Sequence, residues 1–86
     1  MTVDPPPGGF VGPVKRSATI AGHATSISLE PVFWEALEAA AGERSLPLNA
    51  LIAAIDHARI QAADPPNLAS ALRSWLMARA EASARG

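Results

Sequence analysis

One stretch of this chain changes its hydrophobic period from two to about 3.6 within a few residues. Between Ala24 and Leu29, polar and apolar side chains alternate, which predicts a half-buried strand. Directly after Pro31, apolar residues recur at three- and four-residue spacing, which predicts an amphipathic helix. A second helical pattern begins at Pro47. Because a single strand can neither satisfy its edges nor bury its face, this strand needs a partner, and we expect the same strand of a second copy.

A further extended segment precedes this strand. Residues Val14 to Ile20 also alternate, and the glycine at position 22 predicts a turn or bulge between the two segments. In the second strand, the period of two divides the side chains between two faces. We expect Thr25, Ile27 and Leu29 to face the core, and Ala24, Ser26 and Ser28 to face away from it.

Three helices are predicted, so the fold class is mostly α with one or two short strands. Pro31 suits a first helical turn, and the first helix should end near Arg44, after Gly42. Its expected apolar stripe is Phe33, Ala36, Leu37, Ala40 and Ala41. The second helix should bury Leu48, Leu51, Ile52 and Ile55. Asn67 is expected to cap a third helix over residues 67–82, after the break at Asp64-Pro65-Pro66.

Composition limits the size and type of domain. The chain has 86 residues, 49% of them hydrophobic, and no cysteine, which predicts one small domain without disulfides. Residues 1–13 are rich in proline and glycine and predict a flexible tail, leaving residues 14–86 for the folded domain. No segment has the length of a membrane span or the pattern of a signal peptide, so we expect a cytoplasmic protein.

Nothing in the sequence has the spacing of a catalytic or metal site. His23 and His57 are far apart, and neither belongs to a pair with helical i,i+4 spacing. Asp56, Glu35 and Glu38 are better interpreted as surface carboxylates than as a catalytic pair. We therefore expect neither an enzyme nor a cofactor.

Three segments together resemble a short bacterial branch of the ribbon-helix-helix family. They are KRSATIAGHATSISLEPVFWEAL at residues 15–37, LNALIAAID at residues 48–56 and NLASALR at residues 67–73. The resemblance implies an intertwined homodimer in which two strands pair antiparallel between subunits, followed by helices and here by a C-terminal third helix. It also implies sequence-specific binding of double-stranded DNA, with the ribbon in the major groove, and a role in transcription regulation.

The resemblance assigns candidate DNA contacts to this chain. The groove-facing positions are Ala24, Ser26 and Ser28, and phosphate contacts fall to Leu48 and Asn49 at the start of the second helix, where backbone N–H groups are free. The basic pair Lys15 and Arg16 could also hold phosphates.

Three features favour an alternative, a dimeric protein-interaction module that has lost strong DNA contacts. The net charge is −1, whereas nucleic-acid binders usually have a basic surplus. Related chains often have arginine where this chain has Ala24. They also usually have a serine-type cap where this chain has Pro47, which offers no cap oxygen. The sequence leaves both hypotheses open.

Overall fold

The computed structural model describes all 86 residues. A β-hairpin is followed by three helices. The strands are β1 (Val14–Ile20) and β2 (His23–Leu29). The helices are α1 (Pro31–Glu43), α2 (Leu48–Ile60) and α3 (Leu68–Arg85). Residues 1–13 contain no strand or helix. The order of one short ribbon followed by helices agrees with the fold class expected from the sequence.

The hairpin pairs the two strands of one chain. β1 and β2 are antiparallel, in a register that runs from Val14 opposite Leu29 to Ile20 opposite His23. Ala21 and Gly22 form the connecting turn, with φ of 50° and 80°. Positive φ at both central residues is what a type I′ turn requires, and this turn matches the right-handed twist of paired strands. β1 occupies one edge of β2, and the pairing of β2 with a second copy that the sequence predicts would use its other edge.

The alternation expected in β2 is confirmed. Ile27 and Leu29 are buried, Thr25 is half-buried, and the residues between them are exposed. Ala18 of β1 is buried on the same face. Because Ile27 and Leu29 are buried inside one chain, their burial does not require a second subunit.

Trp34 is buried in the core, where the sequence predicted Phe33. The buried residues of α1 are Trp34, Leu37, Ala40 and Ala41, while Phe33 is only half-buried. The indole Nε1 donates a hydrogen bond of 2.9 Å to the carbonyl oxygen of Val14, at the start of β1. A buried tryptophan needs a partner for its N–H, and the first residue of the hairpin supplies one. The helical period was therefore right, but the buried stripe begins one residue later.

The turn between α1 and α2 is a Schellman motif. The Leu46 N–H donates to the Ala41 carbonyl oxygen at 2.9 Å, and the Ser45 N–H donates to Gly42 at 3.1 Å. Ser45 has φ of 54°, in the left-handed region that such a motif requires. α1 ends at Glu43, as expected, and α2 begins at Leu48 with Pro47 as its N-cap.

Helix α3 packs back across the other elements. The core side chains Leu72 and Leu76 are buried, and Arg73 forms an ion pair of 2.9 Å with Glu30 at the start of α1. Arg79 pairs with Glu43 at the end of α1. The helix extends to Arg85, three residues beyond the expected end at residue 82.

Asn67 caps α3, as the sequence predicted, because its Oδ1 accepts a hydrogen bond of 2.8 Å from the Ser70 N–H. We expect Asn67→Ala to lower the free energy of unfolding by about 0.5–2 kcal/mol. Asn67→Asp should keep most of that stability, because the carboxylate can accept the same bond. Thermal melting measures both, and an unchanged melting temperature for Asn67→Ala would show that the start of α3 lies outside the cooperative unit.

Candidate nucleic-acid interface

One face of the hairpin points away from the core and consists of four small hydroxyl side chains, one alanine and one lysine. We name it the outer ribbon face. All six of its residues are exposed. They are Lys15, Ser17 and Thr19 of β1, and Ala24, Ser26 and Ser28 of β2.

The register brings these six residues together as three cross-strand pairs. Lys15 lies opposite Ser28, Ser17 opposite Ser26, and Thr19 opposite Ala24. Serine and threonine hydroxyls both donate and accept hydrogen bonds, so the face can contact either kind of group on a base edge. Its only charge is at Lys15, at the end away from the turn.

Arg16 lies on the opposite face, across from Ile27. Its guanidinium donates to Glu38 at 2.7 Å and stands 4.8 Å from the centre of the Trp34 ring. The two basic residues grouped in the sequence are therefore separated: Lys15 points outward, whereas Arg16 links β1 to α1.

The start of α2 offers two backbone donors. The Pro47 carbonyl oxygen accepts hydrogen bonds from Ala50 and Leu51, while Leu48 and Asn49 have no backbone acceptor in the chain. The Asn49 side chain is exposed and Leu48 is half-buried. Free N–H groups and the helix dipole together suit an anion, so the geometry expected at this helix start is present.

Most of the positive charge is already paired. Four of the six arginines form ion pairs within the chain. They are Arg16, Arg59, Arg73 and Arg79. Hydrogen bonds from its own backbone, and then from Arg73, lower the pKa of Glu30 below its ordinary value and so favour its charged form. The basic groups without a carboxylate partner are Lys15, Arg44 and Arg85, so the electrostatic attraction for a polyanion is modest.

No group of three or more histidine, cysteine or acidic side chains is placed to hold a metal ion. His23 lies at the hairpin turn and His57 in α2. None of the helices is both long and apolar enough to cross a lipid bilayer.

Two residues of this face were not predicted from the sequence as DNA contacts. Ser17 and Thr19 lie on the same side of β1 as Lys15. The signal was the alternation of Val14–Ile20 itself, which the hairpin register converts into a face shared with β2. Arg44, which stacks on Trp75 at 5.4 Å, was also not considered.

Comparison with known families agrees with this architecture. A model of the ribbon-helix-helix domain matches residues 13–80, which include the hairpin, α1, α2 and most of α3. No curated protein and no solved structure matches the chain. The family match extends over most of the sequence and over every element that forms the core. The chain belongs to the ribbon-helix-helix domain family.

Proposed function

We propose that this protein binds double-stranded DNA by placing the outer ribbon face in the major groove, and that it acts as a transcriptional regulator. Members of its family are generally DNA-binding transcription regulators and typically not enzymes. The observation that supports the proposal most is an exposed two-stranded face with five small side chains, one lysine and no acidic group. The major groove, about 12 Å wide, admits a two-stranded ribbon of this kind.

Each candidate residue has a role in this proposal. Ser26 and Ser28 hydrogen-bond to base edges, and Ala24 touches a thymine methyl group. Lys15 contacts a phosphate at the open end of the hairpin. The backbone N–H groups of Leu48 and Asn49 hold a second phosphate.

Arg16 would contribute to DNA binding only by exchanging Glu38 for a phosphate. The pair is exposed, with side-chain exposures of 43% and 52%, so exchanging it costs little. We assign Arg16 a flanking phosphate and no role in recognising bases.

We further propose that the protein binds DNA as a homodimer in the cytoplasm. Family members typically form dimers. One chain offers few unpaired cations, so a single copy should bind DNA weakly. In a dimer, once one subunit is bound, the second subunit binds the same DNA intramolecularly, which raises the overall affinity. β1 pairs with only one edge of β2, so the other edge of β2 remains available for the strand of a second copy.

The dependence of DNA affinity on salt tests the proposal. We expect binding to duplex DNA with a negative slope of log K against log salt, of about −0.9 for each phosphate contacted. Lys15→Ala should make the slope shallower by roughly 0.9 for every copy bound. Arg85→Ala, which removes an unpaired cation at the far end of α3, is the matched control and should leave the slope unchanged.

Two results would contradict the proposal. One is the absence of binding at low salt. The other is an equal change of slope in Lys15→Ala and Arg85→Ala, because it would show a general attraction with no role for the outer ribbon face.

The second candidate function is the protein-interaction module. It is favoured by the four ion-paired arginines and by a groove of about 230 Å³ between α2 and α3, beside Leu46, Ile55 and Trp75. A protein partner would bury this apolar surface. No change in DNA binding on replacing Lys15, together with a salt-insensitive protein complex that Leu46→Asp disrupts, would favour it, because Leu46 is exposed.

A further inference from the structure

We propose that β1 flanks a DNA-reading ribbon formed by the β2 strands of two subunits, and that Ser17 and Thr19 of β1 contact phosphates at the edges of the major groove. The inference rests on the proposed function, since it requires a homodimer that binds duplex DNA. It divides the outer ribbon face into two parts with different roles, in which β2 contacts bases and β1 contacts the DNA backbone.

One edge of β2 is open to the strand of a second copy. The sheet has two strands in the order β1–β2, so β1 fills one edge of β2 and no strand lies beside the other. A groove of about 290 Å³ is lined by Thr25 to Ser28 of β2 and by residues 67–69 at the start of α3. Pairing two copies through the open edges gives a sheet of four strands, with the two β2 strands in the centre and a β1 strand on each outside.

The width of this four-stranded sheet decides which strands can enter the groove. Neighbouring strands lie about 4.8 Å apart, so the two outer strands are separated by three spacings, or roughly 14 Å. The major groove is about 12 Å wide. The central pair therefore fits between the two phosphate backbones, whereas each β1 strand lies over an edge of the groove, where the phosphates are.

The distribution of charge over the hairpin agrees with this arrangement. Both of its cationic residues, Lys15 and Arg16, belong to β1, while β2 contains no lysine or arginine and neither strand contains an acidic residue. Cationic and hydroxyl side chains are the usual contacts of phosphate oxygens. The strand that lies over the phosphates is thus the basic one, and the strand that lies over the bases is small and polar.

The outer edge of β1 adds backbone donors to the hydroxyls of Ser17 and Thr19. Ile20 and His23 flank the two-residue turn and form a hydrogen-bonded pair, and such pairs alternate with non-bonded pairs along an antiparallel ladder. Ser17 and Thr19 therefore belong to non-bonded pairs, and their N–H groups point away from β2. Each residue offers a backbone N–H and a hydroxyl, both of which commonly donate to phosphates.

Helix α2 lies on the same side of the subunit as β1. It packs mainly against β1, while α3 packs against β2. The phosphate contact proposed for the N–H groups of Leu48 and Asn49 therefore belongs to the half of the subunit that contains β1. The phosphate-binding groups of each subunit are grouped on this half, away from the two central strands.

The test uses the full chain, the duplex that the wild type selects from a randomised pool, and versions of that duplex with one base pair changed. The variants are Ser17→Ala and Thr19→Val on β1, with Ser26→Ala on β2 for comparison. Thr19→Val keeps a β-branched side chain that suits a strand. Ser83→Ala, at an exposed position near the end of α3, is the matched control, and thermal melting verifies the fold of every variant.

We expect Ser17→Ala and Thr19→Val each to lower the affinity roughly 2- to 10-fold for each subunit bound, the range of one hydrogen bond. The loss should be the same factor for the selected duplex and for every changed version, because phosphates carry no sequence information. Ser26→Ala should instead reduce the discrimination at one base pair.

A second measurement identifies the phosphate itself. Duplexes with one uncharged methylphosphonate, placed at each position in turn, are titrated with the wild type and with Thr19→Val. At the phosphate that Thr19 contacts, the difference in affinity between the two proteins should shrink. At all other positions it should stay as it is on the unmodified duplex.

The remaining outcomes separate the two proposals. If Ser17→Ala or Thr19→Val loses discrimination at one base pair, β1 reads bases and the inference fails, but the proposed function survives. If both behave like Ser83→Ala while Ser26→Ala does not, β1 makes no contact with the DNA, and again only the inference fails. If the wild type selects no sequence, or all variants on the outer ribbon face behave like Ser83→Ala, both proposals fail.

Discussion

Replacing Ile27 by lysine should unfold this protein. Ile27 is 3% exposed and lies in a core of twelve buried residues, none of them polar or charged. A lysine there would have no carboxylate partner, and its cross-strand neighbour is Arg16, so the nearest charge would repel it. An uncompensated buried charge costs about 3–5 kcal/mol, which is comparable to the whole stability of many small domains.

Two further variants keep this prediction specific. Ile27→Val should fold and lose only about 0.5–1.5 kcal/mol, because it removes a single methylene. Ser26→Lys places the same charge on the adjacent residue, which faces solvent opposite Ser17, and should melt close to the wild type. Circular dichroism and thermal melting measure all three. A cooperative, wild-type-like melt of Ile27→Lys would contradict the packing described here.

The same experiment separates burial within a chain from burial between subunits. Since Ile27 is buried inside one chain, the wild-type melting temperature should depend only weakly on protein concentration. If Ile27 were buried only at an interface, the midpoint would rise with concentration, as for any fold that requires association.

Replacing Ala24 by arginine should tighten binding to duplexes with guanine under the ribbon. Ala24 is exposed on the outer ribbon face, opposite Thr19 and next to the hairpin turn. Its methyl group reaches at most a thymine methyl, whereas a guanidinium can donate two hydrogen bonds to guanine N7 and O6. A good bidentate pair discriminates between bases by about 1–3 kcal/mol. Any added charge that instead reaches a phosphate should steepen the salt slope by about 0.9.

A matched charge controls for general attraction. Ala80→Arg adds the same side chain at an exposed position of α3, far along the chain from the ribbon. It should not change the selected sequences. Titration against a randomised duplex pool compares the two variants with the wild type. If Ala24→Arg and Ala80→Arg select the same duplexes with the same affinity, the ribbon does not enter the groove.

Much of the fold could be predicted from local patterns. Alternation along residues 24–29 identified the buried and exposed faces of β2, because side chains in a strand alternate between two sides. Asn67 was recognised as a cap because its short side chain can accept a bond from a free helical N–H. The end of α1 near residue 44 followed from Gly42, because glycine weakens a helix. These features depend on residues within a few positions of each other.

Other features depend on contacts between distant residues and so could not be predicted. The choice between Phe33 and Trp34 for the core was one, because two adjacent helical residues both fit a broad apolar stripe. What decided it is a hydrogen bond from Trp34 to Val14, twenty positions earlier. Arg16 is a second case. Its ion pair with Glu38 and its contact with the Trp34 ring could not be predicted from its position next to Lys15 in the sequence.

The sequence by itself determined that this protein has a short ribbon with one polar face, followed by helices, the last of which is capped by Asn67. Periodicity and capping depend on residues close together in the sequence, so they can be predicted from residue types and spacing. Only the tertiary structure decided which strand pairs with β2, and therefore which six side chains share the outer ribbon face. A strand has two edges, and β1 of the same chain fills one edge of β2 here. The turn at Ala21 and Gly22, with the core beneath it, favours the partner that is already attached, because closing a two-residue loop costs little chain entropy.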